Sequence, residues 1–234
     1  FLEYKAKAIY AKYGIPVPRG VVASRPEEIH SPPLPCMVKG QVLIGGRGKA
    51  GGIKPATSME EARTVASQIL GMDIYGYKVK TVYLEERLDI DKELYLSFTI
   101  DRSAREPLLI ASAMGGMEIE AVPHDRLFMQ HIPTLIGLQP YVLRSLTKRL
   151  GLADHVGDQV EDIARRAYEL FRKEDAELVE INPLVVTKGG KVVAGQDVGI
   201  EQEDPSSPGT APARVHADRE SGESPRQRWL AERS

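Results

Sequence analysis

The sequence of 234 residues contains a single cysteine, Cys36. One cysteine excludes an internal disulfide and a cysteine-based metal cluster, and it is typical of proteins of the reducing cytosol. The formal net charge is only −2, so no global electric field would attract nucleic acid or an anionic membrane. No apolar run reaches membrane-spanning length, and no signal peptide is recognisable at the start. We therefore expect a cytoplasmic protein that binds neither nucleic acid nor a membrane.

Glycine, in contrast, is concentrated in the segment 38–54. Five glycines lie between positions 45 and 52, together with Arg47 and Lys49. Glycine lets backbone N–H groups turn toward an anion, and the two cations supply charge for phosphate oxygens. The spacing matches neither a Walker loop nor a dinucleotide-binding GxGxxG. The segment predicts a flexible loop that covers a polyphosphate, and the alternative is a solvated basic hairpin tip.

Hydrophobic periodicity and turn signals predict alternating helices and strands. Residues 3–13 place Tyr4, Ala8 and Ala11 at helical spacing. Further helices are predicted over 57–70, 138–150 and 155–173, and a short one after the capping-box pattern that begins at Ser24. The predicted strands are 20–23, one beginning at 37, 81–85, 92–101, 108–112, 176–187 and 191–194. This order indicates an α/β (α+β) protein without internal repeats.

The hairpin predicted over 176–194 contains a second group of polar residues. Strand alternation puts Glu180 and Asn182 on one face of the first strand. A two-residue turn at Gly189-Gly190 would place Asn182 directly opposite Asp197. An amide oxygen and a carboxylate facing each other could share one hard cation, Mg²⁺ or Mn²⁺. The alternative is a hairpin with an exposed polar face.

Seven motifs in order make the sequence resemble a known family. They are Glu3-Tyr4-x-Ala6-Lys7, Tyr13-Gly14-Ile15-Pro16-Val17-Pro18, the glycine-rich loop 45–52, Lys92-Glu93-Leu94-Tyr95-Leu96, Asp101-Arg102-Ser103, Gly115-Gly116-Met117-Glu118-Ile119-Glu120 and Glu180-Ile181-Asn182-Pro183-Leu184. Together they resemble the β subunits of ADP-forming succinyl-CoA synthetase (succinate–CoA ligase). The resemblance implies an ATP-grasp fold, in which two lobes clasp a nucleotide.

The resemblance also implies a domain organisation. Residues 1–198 would form the ATP-grasp nucleotide-binding domain, with a small lobe near 15–94 and a large lobe of 1–14 plus 95–198. The family's C-terminal flavodoxin-like domain has no counterpart in the sequence, so we expect a fragment of a longer chain or the product of a reading-frame slip. Residues 199–234 are rich in proline and polar residues, which predicts a disordered tail.

Residue by residue, the resemblance assigns several positions to the nucleotide. Lys39 matches a lysine that reaches a phosphate, and the phosphate-covering loop is matched by Gly46, Arg47 and Gly48. Glu85 matches an acid beside the adenine, and Glu93 matches an acid that binds the ribose hydroxyls. The implied substrate is ATP or ADP, and no residue distinguishes ATP from GTP.

The remaining assignments concern metal and catalysis. Asn182 matches one ligand of Mg²⁺ (or Mn²⁺). The second ligand aligns with Gln196 without a gap, and Asp197 takes this role if one residue is inserted. Glu180 matches the acid that steadies a phosphohistidine loop of a CoA-binding α subunit.

The five histidines of the chain lie outside its glycine-rich loop, so the phosphorylatable histidine is expected on that partner. The implied reaction is phosphoryl transfer between ATP and the partner's histidine, coupled to the interconversion of succinyl-CoA and succinate. The chain would thus be an acid–thiol ligase subunit of the tricarboxylic acid cycle, inactive alone. Two alternatives stay open. One is the β subunit of malate–CoA ligase or of another ADP-forming acyl-CoA ligase, and the other is a non-catalytic nucleotide-binding fragment.

Overall fold

A computed structural model describes residues 1–44 and 46–202, so most of the tail predicted to be disordered lies outside the described residues. The chain divides into two units. The first comprises Phe1–Ala11 and Val17–Asp89, and the second comprises Lys12–Pro16 and the residues from 90 onward. The predicted lobes differ from these units chiefly at the N-terminal helix. This helix packs in the first unit because two of its charged side chains bind strand residues there.

The first unit contains a four-stranded antiparallel sheet with two helices. Its elements in chain order are α1 (Glu3–Lys12), β1 (Gly20–Ala23), β2 (Cys36–Gly40), β3 (Ile53–Ala56), α2 (Met59–Ile69), β4 (Asp73–Ile74), β5 (Tyr77–Lys78) and β6 (Val82–Glu86). The strand order in the sheet is β1-β6-β2-β3, and β4 and β5 form a separate small hairpin. Ser58 caps α2 by accepting the N–H of Glu61 at 3.1 Å. The helix buries its apolar side with Val38 and Leu84 in one core.

The second unit contains a five-stranded antiparallel sheet. Its elements are β7 (Ile90–Asp101), β8 (Glu106–Ser112), β9 (Leu127–His131), α3 (Pro140–Arg149), α4 (Asp154–Lys173), β10 (Ala176–Thr187) and β11 (Val192–Gln202). The strand order is β11-β10-β7-β8-β9. Aromatic side chains join α4 to the sheet, since the rings of Phe98 and Tyr168 lie 5.4 Å apart. The long strand β11 also shows that residues 199–202, predicted to belong to the tail, are part of the sheet.

The hairpin of β10 and β11 confirms the predicted pair but not the predicted turn. Thr187 N–H donates to Lys191 O at 2.8 Å, which leaves three residues in the loop instead of two. Leu184 therefore pairs with Ala194, one position away from the predicted register. A β-bulge then places two residues of β11 opposite one residue of β10, and beyond it Asn182 pairs with Asp197 as predicted.

A glycine is required at this bulge. A Cβ on Gly195 would lie 2.7 Å from Pro183 O and 2.8 Å from Val185 Cγ2, and both distances are too short for a side chain. The bulge provides the one extra residue in β11 that is needed if Asp197, and not Gln196, is aligned with the second metal ligand.

The described part of the chain contains no helix long and apolar enough to cross a membrane.

Candidate functional site

A buried cluster of charged residues occupies the face of the first sheet opposite its apolar core. On β2 and β6, Val38 and Leu84 belong to that core, whereas Lys39 and Glu85 are their neighbours and project to the other side. Lys39 is fully buried, and its Nζ donates to both Glu85 and Glu3, the latter at 3.0 Å. The predicted phosphate lysine and the predicted adenine acid are therefore direct neighbours.

Helix α1 supplies two members of this cluster. Glu3 and Lys7 lie one turn apart, and Lys7 Nζ donates to Glu3 at 2.9 Å and to Glu85. The buried face of α1 carries Glu3, Ala6, Lys7 and Tyr10. The spacing of Tyr4, Ala8 and Ala11 does not mark the buried face, because Ala8 and Ala11 are exposed. Ion pairs with strand residues allow a charged face to be buried here.

The cluster joins three cations to two carboxylates. Among the described contacts, Lys7, Lys39 and Arg47 face the carboxylates of Glu3 and Glu85. Burial opposes ionisation of Glu3, but the three cations outweigh it and lower the pKa of Glu3 to about 2. Burial, together with the negative charge of Glu3, raises the pKa of Tyr83 to about 12. Lysine and arginine are the side chains that bind phosphate oxygens most strongly.

The glycine-rich segment forms an ordered turn over the residues described, 46–52. Gly40 N–H donates to Gly52 O at 2.7 Å, and Gly52 N–H donates to Arg47 O at 2.8 Å. Arg47 is directed inward, where its Nη1 lies 2.8 Å from Glu3 Oε2, whereas Lys49 is exposed. The two cations predicted to act together thus differ in environment, and Arg47 belongs to the buried cluster.

In the second unit, Asn182 is held by the loop that follows β8. Its Oδ1 accepts the N–H of Gly116 at 2.8 Å, and its Nδ2 donates to Met117 O at 2.9 Å. Because both ends of the amide are used, the side chain has a fixed orientation. An amide oxygen has two lone pairs, so the bond from Gly116 is compatible with binding a cation.

The same loop lies against the predicted ribose acid, Glu93. Gly115 N–H donates to Glu93 O at 2.9 Å. Gly116 has a φ of +74°, and a Cβ there would lie 2.7 Å from Glu93 Oε2. A Cβ on Gly115 would lie 2.3 Å from Leu94 O. Both glycines are needed because the loop passes directly over the end of β7.

Glu180 is held by a tyrosine. Tyr95 is buried, and its hydroxyl donates to Glu180 Oε1 at 2.7 Å. Glu180 and Asn182 lie two positions apart on β10, as predicted from strand alternation. Tyr95 therefore fixes the carboxylate that we expect to act in catalysis.

The motif Asp101-Arg102-Ser103 has a structural task. Asp101 Oδ1 accepts the N–H groups of Ser103 and Ala104 at 2.8 and 3.1 Å, and Asp101 Oδ2 lies 2.8 Å from His131 Nε2. Burial opposes ionisation of Asp101, but these hydrogen bonds prevail and lower its pKa. The motif therefore fixes the turn between β7 and β8.

The donor set for a cation is small. Among the described side chains, no group of three or more His, Cys, Asp and Glu residues could hold a metal ion. Asn182 offers one oriented oxygen, and the ladder pairs its position with that of Asp197, whose side chain lies outside the described part. Two oxygen ligands fit Mg²⁺, which usually completes its coordination with substrate phosphates and water.

Comparison with known sequences identifies the fold family. The profile of the ATP-grasp domain matches residues 1–186. The chain belongs to the ATP-grasp domain family. Among solved structures, a dinucleotide forming acetyl-coenzyme A synthetase 1 of Ca. Korarchaeum cryptofilum, in complex with coenzyme A, Ca-AMPCP and HgCl+, is similar to this chain. It superposes with a TM-score of 0.70 at 20% identity, covering 87% of this chain and 93% of that one. At this identity the likeness shows the fold alone.

Two sequence relatives of this ATP-grasp chain carry the same protein name. The β subunit of ADP-forming succinate–CoA ligase from Ignicoccus hospitalis is 44% identical over 198 residues, which are 82% of this chain and 53% of that protein. The β subunit of the same name from Rubrobacter xylanophilus is 45% identical over 199 residues, 82% of this chain and 52% of that protein. The chain thus spans about half the length of these curated relatives.

Proposed function

We propose that the chain is the nucleotide-binding part of the β subunit of an ADP-forming succinate–CoA ligase. In the cytosol, it would transfer a phosphoryl group from ATP to a histidine of a CoA-binding α subunit, or from that phosphohistidine to ADP, during interconversion of succinyl-CoA and succinate. The observation that carries this proposal is the buried cluster of the first unit, in which Lys7, Lys39 and Arg47 lie together beside a glycine-rich turn. The relatives of the chain are consistent with it.

The proposed nucleotide contacts follow from the chemistry of each group. In the first unit, Lys39, Arg47 and the N–H groups of Gly46 and Gly48 would bind phosphate oxygens, and Glu85 would lie at the adenine. In the second unit, the carboxylate of Glu93 would accept hydrogen bonds from the ribose hydroxyls. Catalysis of phosphoryl transfer depends mainly on positioning and charge neutralisation, which such contacts supply.

Asn182 and Asp197 are the residues that would hold Mg²⁺ or Mn²⁺. The cation, when bound, would neutralise negative charge on the phosphates. The fixed orientation of Asn182 supports this role, since its Oδ1 is held in place by the bonds to Gly116 and Met117. The bulge at Gly195 supports the choice of Asp197 over Gln196, because it brings position 197 opposite position 182.

Glu180 would act on the partner's histidine. A carboxylate that accepts an imidazole N–H fixes the tautomer of the ring and favours attack by its other nitrogen. Tyr95, through its bond to Glu180 Oε1, holds the carboxylate in one orientation for this contact.

We expect Asn182→Ala and Asp197→Ala each to weaken Mg²⁺-dependent binding of ADP by about tenfold or more. Loss of one ligand to a cation should resemble loss of a hydrogen bond to a charged group, about 1.5–3 kcal/mol. Gln196→Ala is the matched control, and it should change the affinity less than twofold. Calorimetric titration with ADP, with Mg²⁺ and with EDTA, measures the metal-dependent part.

Affinities in EDTA should be similar for wild type, Asp197→Ala and Gln196→Ala. If Gln196→Ala proved the damaging change and Asp197→Ala proved harmless, the metal-ligand assignment from the bulge register would be wrong.

A further inference from the structure

The loop that follows β8 touches two predicted binding residues at once. Its residues 115–117 bond to the side chain of Asn182 through Gly116 N–H and Met117 O. They also bond to the backbone of Glu93 through Gly115 N–H, at 2.9 Å. In the sequence this segment belongs to one of the seven motifs that carry the resemblance, and no role was assigned to it there.

Both contacts depend on the absence of side chains. Gly116 has a positive φ and donates its N–H to Asn182, and the space that a Cβ would need is filled by the Glu93 carboxylate, 2.7 Å away. Any side chain at position 116 must therefore displace Glu93, strain the loop, or do both. The geometry links the orientation of the amide to the position of the carboxylate.

The contact to Met117 O specifies an amide at position 182. Asn182 Nδ2 donates to this carbonyl at 2.9 Å. A carboxylate at the same position would place an oxygen without a proton against the Met117 carbonyl, and the two would repel each other. Binding of a cation alone would favour Asp over Asn, because a carboxylate is the more strongly charged ligand. The need for a donor toward the loop explains the amide.

We propose that Gly115, Gly116 and Met117 form a positioning loop, which fixes Asn182 Oδ1 for the cation and the Glu93 carboxylate for the ribose, and so couples metal binding to ribose binding. The inference rests on the proposed function for the two ligands, but the contact itself can be measured without any ligand. Groups that orient a metal ligand typically change metal affinity by about 10–100-fold when they are altered.

The first test measures hydrogen exchange of the Gly116 amide in the nucleotide-free chain. Asn182→Ala should raise its exchange rate about fivefold or more, because it removes the acceptor and exposes the N–H to solvent. Met117→Ala is the control. It removes a partly exposed side chain and keeps the backbone carbonyl, so exchange should stay within twofold of wild type.

The second test measures binding of Mn²⁺ in the presence of ADP by electron paramagnetic resonance. Asn182→Asp and Gly116→Ala should each weaken Mn²⁺ binding by about tenfold or more. Gly116→Ala should also reduce the preference for ADP over 2′,3′-dideoxy-ADP, since it displaces Glu93. The matched control is Gly151→Ala, another glycine with positive φ (+64°) but with no atom within 4 Å of a new Cβ. It should change neither quantity.

Unchanged exchange at Gly116 in Asn182→Ala, or tighter Mn²⁺ binding by Asn182→Asp, would overturn the positioning role. So would equal effects of Gly116→Ala and Gly151→Ala. A wild-type chain that binds no Mn²⁺–ADP at all would instead contradict the proposed function, while the exchange measurement would still decide whether Asn182 holds the loop.

Discussion

In a complex of the chain with a CoA-binding α subunit, Glu180→Gln should slow phosphorylation of the partner's histidine by about 10²-fold or more, the usual scale for a general acid or base. The affinity for Mg-ADP should stay within a few-fold, because a second carboxylate beside a polyanion contributes nothing favourable to its binding. The effect arises when the imidazole arrives and its N–H needs an acceptor. Phosphorylation by labelled ATP in a single turnover measures this step directly.

Two further variants test whether the effect of Glu180→Gln is specific to the position of its carboxylate. Tyr95→Phe removes the hydroxyl that donates to Glu180 Oε1, so it should slow the same step by a smaller factor. Glu177→Gln is the matched control on the same strand, because Glu177 pairs only at the surface with Arg102. An unchanged rate in Glu180→Gln, or a collapse of nucleotide binding instead, would contradict a role at the histidine.

The second large effect is expected on stability. Glu3→Gln should lower the free energy of unfolding at pH 7 by about 3–5 kcal/mol, because it removes one of the carboxylates that neutralise the buried cations. Glu3 contacts Lys7, Lys39 and Arg47 in the interior of the first unit. Urea-induced unfolding of the whole chain measures the difference.

The effect of Glu3 should also depend on pH in a defined direction. The pKa of Glu3 is lowered from 4.5 to about 2, so its contribution is fully present above pH 4.5 and is lost as the pH falls toward 2. The difference in unfolding free energy between wild type and Glu3→Gln should shrink across this window. The control is Glu28→Gln, which removes an exposed partner of Arg25 and should have little effect on stability. Equal free energies of unfolding for wild type and Glu3→Gln would show that Glu3 and its buried ion pairs do not stabilise the fold.

Local patterns predicted most of the secondary structure. The helices over 57–70, 138–150 and 155–173 and the strands over 92–101, 108–112 and 176–187 are present within a few residues, because each has a clear period or a clear end signal. Strands β3, β4, β5 and β9 were missed. They are short, and pairing with neighbouring strands decides their structure more than their own sequence does.

The register of the hairpin shows how a correct pair can follow from a wrong turn. The loop holds one residue more than the two-residue turn would, which shifts the register near its end. The bulge at Gly195 then shifts it back, so Asn182 meets Asp197 after two changes that cancel. Neither change is encoded in strand alternation, because a bulge depends on contacts across the sheet.

The buried face of α1 could not be predicted from its own residues. Apolar periodicity assumes that charges face water, but Glu3 and Lys7 are buried against partners on β2 and β6 that are distant in sequence. Tyr95 was likewise quoted only as part of a motif, and its bond to Glu180 spans 85 positions. The resemblance to a family identified Lys39 and Glu85, but only the structure revealed that they are neighbours.

The most direct test of the account is calorimetric titration of the isolated chain with Mg-ADP and with adenosine. We predict that Mg-ADP binds with a Kd between about 1 μM and 1 mM, the usual range for enzyme substrates. Adenosine should bind at least about tenfold more weakly, because it lacks the phosphates that the cationic cluster attracts. The chain should form no acyl-CoA without a partner. A folded sample that binds neither ligand, or that binds adenosine as tightly as Mg-ADP, would contradict the assignment of the cluster to a nucleotide.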